Sequence, residues 1–390
     1  MRLIYPLLWS RLGRQADREQ AVNTAGALAR AGAEVTLVMP RGRDDPVVTA
    51  DDLRALFDVS GDFRLVQRET RWGGEKALPS ALWLRQLRRD PETLRSELFY
   101  SRMPVAFALG RASPVPFAVE HYRPWPDRIP AIRPLIRRTA ASPRCLGFIL
   151  HSRFTADSFA RIGVAEEKLL VAHNGAEPAR MLPRLTKEEA RGRLGLPSNW
   201  PIALYAGRVN GRKGLDQILL LAARRPGVLF LLVGSEGEGE IGREAARLAN
   251  VRVLPWQSPA ALPAWLYAAD ILLIPPSRAP LERFGDCVLP MKTFSYLAAG
   301  RPILAPVAPD TAELLEDARN ALLVPPDDPD SAAAALDRLV GDPRLAARLG
   351  TNAAALAESL SWDARARRIL DFLEAGLRRR GSTGSPPGGR

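Results

Sequence analysis

Cysteine and histidine are scarce in this chain of 390 residues, with two of the first and three of the second. Cys145 and Cys287 are too few for a disulfide framework and fit a reducing compartment. Neither stands in a metal-ligand spacing, and three histidines leave little material for a zinc site, so no metal is expected. Long apolar runs are also missing. The opening MRLIYPLLWSRLGR meets Arg too soon for a spanning helix or an ordinary signal peptide, and no other run approaches spanning length. The expectation is a cytoplasmic location, with peripheral attachment to the inner face of a membrane as its only membrane option.

Acidic charge is in deficit: 55 Lys and Arg face 43 Asp and Glu, a net charge of +12. The excess is uneven, since residues 1–180 carry 28 basic and 20 acidic side chains and the remainder 27 and 23. Its densest patch runs from Arg123 through Arg128, Arg133, Arg137 and Arg138 to Arg144, with Asp127 the one acid inside it. Ile129, Ile132, Leu135 and Ile136 interleave with those arginines. Two readings stand: a core-facing helix with a solvated Arg face, or an amphipathic segment resting on an anionic membrane surface or an acidic acceptor. No nucleic-acid motif appears, so no nucleic acid is expected as a partner.

Apolar runs bounded by Gly, Pro and Asp alternate with helical periodicity, the pattern of an α/β chain with parallel sheets. Strands are expected at 3–5, 34–39, 63–67, 98–101, 115–120, 146–150 and 168–171, and helices at 18–31, 49–57, 104–110 and 154–162. Residues 175–197 read as a linker with a short helix. A second alternation has strands at 202–206, 228–233, 251–254, 271–274, 303–305 and 321–324, with helices at 239–249, 260–268 and 291–299. A long helix over 362–378 follows, and the Gly/Pro/Ser-rich tail is expected to be disordered. The expected division is 1–180, 181–360, a crossover helix at 361–379 and a tail at 380–390. In two doubly wound halves, ligands belong at the carboxyl ends of strands and in the cleft between the halves.

One motif carries chemistry by itself. GRVNGRKG, from Gly207 to Gly214, lies between the strand at 202–206 and an amphipathic stretch beginning at Leu215. Arg208 offers a planar fork and Lys213 a mobile point charge, a pair suited to a diphosphate. The helix start adds backbone N–H groups and the positive dipole end. The plain alternative is a solvated basic loop.

Around that motif stand ALARAGAEVTLVMP, HSRFTADSFARIGVAEEKLLVAHNGAEP, LLVGSEGEGE, VRVLPWQSPAALPAWLYAADILLIPPS, LPMKTFSYLAAGRPILA and NALLVPPDDPDSAAAAL. In this order and spacing the chain resembles the retaining, nucleotide-sugar-dependent glycosyltransferases of family four, group 1. The resemblance covers most of the length. It implies the GT-B fold, two facing Rossmann-like domains with a cleft between them and a C-terminal helix crossing back to the first. It implies transfer of a sugar from a nucleotide-diphosphate sugar, the UDP or GDP type, to a glycan or lipid-linked acceptor with retention, in polysaccharide or envelope glycan assembly. The nucleotide sugar is then a co-substrate, and no cofactor is implied.

The roles implied by the resemblance fall on particular residues. Arg208 and Lys213 hold the donor diphosphate and stabilise charge on the leaving group, with Gly207 at the strand end. Trp256 borders the base, as a stacking partner or a packed core aromatic, and Gly234 belongs to the adjacent strand-end loop. His121 is the expected catalytic histidine near the reacting carbon, with Glu120 beside it. By alternation only one of the two faces the cleft unless the strand has ended. Gly13 stands alone where the family often has a Gly-rich turn, with Arg11 or Arg14 as electrostatic substitutes. The family usually carries two glutamates separated by seven residues. Anchored on Gly300, those positions are Cys287 and Ser295, neither acidic, with Glu282 and Asp286 the nearby acids available to substitute. Pro290 and Lys292 match a subgroup pattern in which Pro starts the helix and Lys faces the phosphates. The phosphate machinery therefore reads as intact and the ribose and sugar contacts as altered. That alteration keeps a second reading open, a non-catalytic GT-B partner subunit binding nucleotide or glycan. A nucleotide-sugar epimerase of the same fold is a more distant third.

Overall fold

In the computed structural model, which describes residues 1–70, 77–103, 106, 113–237, 239–284 and 289–382, the strands form two sheets whose paired strands all run parallel. The chain divides into a first unit, Met1–Asn174 with Trp362–Arg390, and a second, Gly175–Ser361. The first unit holds β1 (Arg2–Pro6), β2 (Glu34–Arg41), β3 (Arg64–Glu69), β4 (Leu98–Ser101), β5 (Phe117–His121), β6 (Cys145–Leu150) and β7 (Leu169–Val171), in the order β3-β2-β1-β4-β5-β6-β7. The second holds β8 (Ile202–Ala206), β9 (Leu229–Ser235), β10 (Val251–Pro255), β11 (Ile271–Leu273), β12 (Ile303–Pro306) and β13 (Leu322–Val324), in the order β10-β9-β8-β11-β12-β13. All thirteen expected strands are present, with ends within two residues of the expected ones.

Strands buried on both faces need apolar side chains at every position, and β8 shows the consequence. Ile202, Leu204 and Ala206 join the core on one face of the second sheet, while Ala203 and Tyr205 join the core on the other. In β9, Leu229, Leu231 and Val233 alternate in the same way with Phe230 and Leu232. Helices cover both faces and are started by their caps. Thr49 and Asp52 form a capping box ahead of Ala50–Phe57, as do Thr186 and Glu189 ahead of Lys187–Leu194. Asp270 then ties that second helix to β8, accepting from Lys187 at 2.8 Å, Arg191 at 2.5 Å and the Ile202 N–H at 2.7 Å.

Several elements depart from expectation. The helix expected at 239–249 is Glu240–Ala245, because the chain tightens into turns that seat Asn250. The amide of Asn250, nearly inaccessible, donates at 3.0 Å to the carbonyls of Ala222, Arg225 and Val228 and fixes the entry to β10. Helices Pro329–Gly341 and Pro343–Ser359 were not expected, and the long C-terminal helix runs Trp362–Ser382. This last helix belongs to the first unit and packs on the helix Ala16–Arg30 and on β6. Most of the helix expected at 104–110, and the tail from 383, lie outside the described residues. No helix among the described residues is long and apolar enough to cross a membrane.

Candidate functional site

In a doubly wound sheet, ligands bind beyond the carboxyl ends of the strands where the strand order reverses. In the second unit that point lies between β8 and β11. The chain leaves β8 through Gly207, whose N–H continues the ladder to the Val233 carbonyl at 2.8 Å. Gly207 has φ of 143°, and a Cβ there would stand 2.9 Å from both Lys292 Nζ and Tyr205 Oη. Any side chain would fill the space those groups occupy. Beyond it, the short 3-10 turn Gly211–Lys213 is opened by Asn210, which accepts from the Arg212 N–H at 3.1 Å, and Gly214 passes the chain into the helix Leu215–Arg224. Gly214 also packs directly on Ser277 beyond β11, so the two loops meet.

Two tyrosines fix this edge. The Tyr205 hydroxyl donates to the Arg208 carbonyl at 3.0 Å, and the Tyr296 hydroxyl accepts from the Ala206 N–H at 2.7 Å. Lys292, the first residue of the helix Lys292–Ala299, lies with Nζ 3.5 Å from the centre of the Tyr205 ring. Arg208, Lys213, Arg283 and Lys292 form one electrostatic cluster. Burial, then Arg208 and Arg283, hold Lys213 below its ordinary pKa. Burial, then Lys213, hold Lys292 well below its own. Among the described residues neither lysine has a carboxylate within ion-pair distance, and Arg208 is paired with Glu236 at 3.6 Å. An anion beside crowded, partly desolvated cations of this kind favours their charged form.

The remaining expected residues of the second unit are placed as follows. Gly234, with φ of 124°, lets the β9 loop touch the β8 loop: a Cβ there would stand 2.3 Å from the Gly207 carbonyl oxygen. Trp256 is half-buried, outside both cores, and its N–H bonds the Ser235 carbonyl at 2.9 Å. Pro290 precedes the helix that Lys292 begins, and its carbonyl accepts from Thr293 at 3.0 Å. Ser295 sits on that helix with its hydroxyl donating to the Lys292 carbonyl at 3.0 Å. Glu282 is exposed on the helix Arg278–Phe284, and Asp286 and Cys287 lie outside the described residues. Sequence reasoning missed Tyr205, Arg283, Tyr296 and the part played by Glu236. Glu236 had a visible cue, a carboxylate in a Gly-rich loop at a strand end.

In the first unit, Glu120 and His121 close β5 and both are buried. Glu120 has no accessible surface and is spent internally. Its Oε1 accepts from Gln20 at 2.5 Å, His151 Nε2 at 2.5 Å and Arg365 at 2.6 Å, and its Oε2 accepts from the Tyr100 hydroxyl at 2.7 Å. Arg102 stands 3.9 Å away. Burial opposes ionisation here, but Arg365, the His151 bond and Arg102 outweigh it and hold the carboxyl well below its usual range. His121 meets the edge of Trp125 at 5.9 Å, and burial followed by Arg102 lowers its pKa to about 3. Gly13 is crowded by the side chains of Gln15 and Arg18. Arg11 is committed to Asp45 at 2.5 Å. In the basic patch, Arg123 stacks on Tyr122 and Trp125, Asp127 pairs with Arg133 and Arg161, and Arg137 and Arg144 donate to backbone carbonyls of Ile162 and Ser113. Among the described residues no three His, Cys, Asp or Glu side chains gather to hold a metal ion.

Residues 186–356 match the family model described as "Glycosyl transferases group 1", and residues 19–180 match "Glycosyltransferase Family 4". The chain belongs to this glycosyltransferase family. A D-inositol 3-phosphate glycosyltransferase of Streptomyces avermitilis is 33% identical over 240 residues, 57% of this chain and 50% of that protein. One of the same name from Streptomyces coelicolor is 30% identical over 268 residues, 61% of this chain and 56% of that protein. The chain thus spans about half the length of the curated relatives it matches. Among solved structures, a glycosyltransferase from Rickettsia africae superposes with a TM-score of 0.72 at 13% identity, covering 97% of this chain and 98% of its own. Anabaena HepE in complex with UDP-glucose gives 0.70 at 17% identity, covering 96% and 100%. These likenesses establish the fold of the group 1 glycosyltransferases, GT-B.

Proposed function

We propose that this family member is a retaining glycosyltransferase that moves a sugar from a nucleotide-diphosphate sugar, of the UDP or GDP type, to a glycan or lipid-linked acceptor. The observation that carries the reading is the cation cluster of Arg208, Lys213, Arg283 and Lys292 at the carboxyl edge of the second sheet. A diphosphate seated there meets cations already gathered at a strand edge that Tyr205 and Tyr296 hold through the Arg208 carbonyl and the Ala206 N–H, so little reorganisation is needed as negative charge grows on the leaving group. The acceptor hydroxyl attacks from the face the diphosphate leaves, and a departing phosphate oxygen takes its proton, so the scheme requires neither a metal nor a dedicated base. The complex with UDP-glucose of the structurally similar HepE supports the donor class. In this reading the protein works in polysaccharide or envelope glycan assembly on the cytoplasmic side. Its exposed Arg128, Ile129, Leu135, Arg137 and Arg138 rest on an anionic membrane surface.

The test is incubation with UDP- and GDP-sugars, with and without saccharide acceptors, following released nucleoside diphosphate and the anomeric configuration by proton NMR. Release of one diphosphate with an α-configured product from an α-donor supports the reading. Inversion at the anomeric carbon overturns the mechanism. The neutral Ser295 favours a second reading, a nucleotide-binding partner subunit without turnover, which predicts nucleotide binding and no release.

A further inference from the structure

Three strand ends of the second sheet lie level. Ala206 of β8 is opposite Val233 of β9, which is opposite Leu254 of β10. Just beyond that level the three loops present Arg208, Glu236 and Trp256 in that order, a cation, a carboxylate and an indole, on strands spaced ~4.8 Å apart. A nucleoside diphosphate has a matching order of parts: an anion, a ribose with two vicinal hydroxyls, and a flat base. We infer that Glu236 is the ribose-reading residue of this chain, its carboxylate accepting hydrogen bonds from the ribose hydroxyls of a nucleotide whose diphosphate lies on Arg208. The inference rests on the proposed reading of the second unit as a nucleotide-diphosphate site.

The chemistry fits the part. A carboxylate is an acceptor with two oxygens, suited to a pair of hydroxyl donors, and hydrogen bonds to a charged acceptor are stronger than neutral ones. Ser295, on the helix that faces this edge, has one hydroxyl and donates it to the Lys292 carbonyl at 3.0 Å. The Glu236 loop is held in place. The Ser235 hydroxyl donates to the Gly237 carbonyl at 2.8 Å, the Trp256 N–H bonds the Ser235 carbonyl at 2.9 Å, and Gly234 lies against the Gly207 backbone. Glu236 itself is half-exposed and pairs with Arg208 at 3.6 Å, too long for a hydrogen bond. A diphosphate arriving on Arg208 takes over that charge pairing and leaves the carboxylate's lone pairs to the neighbouring hydroxyls.

The experiment is calorimetric titration of the full chain with UDP, GDP and ADP and with their 2′-deoxy counterparts, on wild type, Glu236→Ala and Glu236→Gln. The exposed position makes both variants fold as wild type does, which melting curves check. For the base that binds, wild type is expected to prefer the ribonucleotide by about tenfold or more. Glu236→Ala brings that preference close to one while still binding the deoxynucleotide, and Glu236→Gln keeps part of it. An unchanged preference in Glu236→Ala overturns the inference, since the ribose is then read elsewhere. Equal tightening of ribo- and deoxynucleotide in both variants also overturns it, reducing Glu236 to a counterion of Arg208. Failure of every diphosphate to bind wild type overturns the nucleotide reading itself, and the inference with it.

Discussion

Replacing Arg365 by Met is expected to destabilise the first unit severely. Arg365 is 4% exposed on the C-terminal helix, and its guanidinium reaches Glu120 at 2.6 Å, the Thr24 hydroxyl at 3.2 Å and the Ala172 carbonyl at 3.4 Å. Met keeps most of the stem and removes the charge, so packing changes little and the ion pair is lost. Glu120, with no accessible surface, then retains Arg102 at 3.9 Å as its charged partner. Removing one member of a buried pair costs about 3–5 kcal/mol, mostly the desolvation of the charge left behind. For a unit of this size each kcal/mol is worth ~2–4 °C in melting temperature, so the transition of the first unit falls by about 6–20 °C. The second unit contains none of these residues and melts as before. Adding Glu120→Gln to Arg365→Met removes the stranded charge, so the double variant is expected to melt above the single one. Scanning calorimetry on the four proteins of this cycle reads the result. A loss under about 1 kcal/mol, or strict additivity of the two substitutions, refutes the claim that this pair anchors the returning helix.

Acid is expected to weaken the first unit before the second. Burial lowers His121 to about 3 and His151 to about 4, whereas an unfolded imidazole titrates near 6.5. Below ~6.5 the unfolded chain binds two protons that the folded chain refuses, so stability is full above that pH and falls by about 2.7 kcal/mol per unit on acidification toward 4. A melting temperature flat from pH 7 to 5 contradicts this. Gly234→Ala places a methyl 2.3 Å from the Gly207 carbonyl oxygen at a φ of 124°, and the strain of about 1–3 kcal/mol falls on the diphosphate loop. It is expected to lower nucleotide affinity more than Gly239→Ala, which meets open space; equal effects refute the cradle. Because Lys213 and Lys292 sit below their ordinary pKa, diphosphate binding at alkaline pH is expected to take up protons and weaken as pH rises. Titrations in buffers of different ionisation enthalpy across the alkaline range measure that uptake, and its absence throughout contradicts it.

Strand positions were legible because parallel strands buried on both faces require unbroken apolar runs, and FLLVG or IALYA fit little else. The helices Pro329–Gly341 and Pro343–Ser359 were missed despite Asp-Pro starts at 328 and 342, whose side chains cap them. Their Ala-rich faces give a weak periodic signal. Arg208 and Lys213 were readable because both lie in one short turn. Arg283 and Glu236 come to that turn from two other segments, and the sheet order brings them near it; Tyr205, three residues before Arg208, reads in the sequence as one more core residue of its strand. Glu120 illustrates the converse. Its place beside His121 marked it as a site residue, yet the partners that commit it to the interior, Gln20, Tyr100, His151 and Arg365, are between 20 and 245 residues distant in sequence.

The β8–β11 edge of the second unit is proposed to hold a nucleoside diphosphate. The most direct test is calorimetric titration of UDP, GDP, ADP and TDP into wild type, Arg208→Ala and Lys213→Ala. Saturable one-to-one binding of one of them to wild type is expected, weakened about tenfold to a hundredfold in each variant by loss of a charge-assisted contact. Binding that both variants leave unchanged, or no binding to wild type at all, contradicts it.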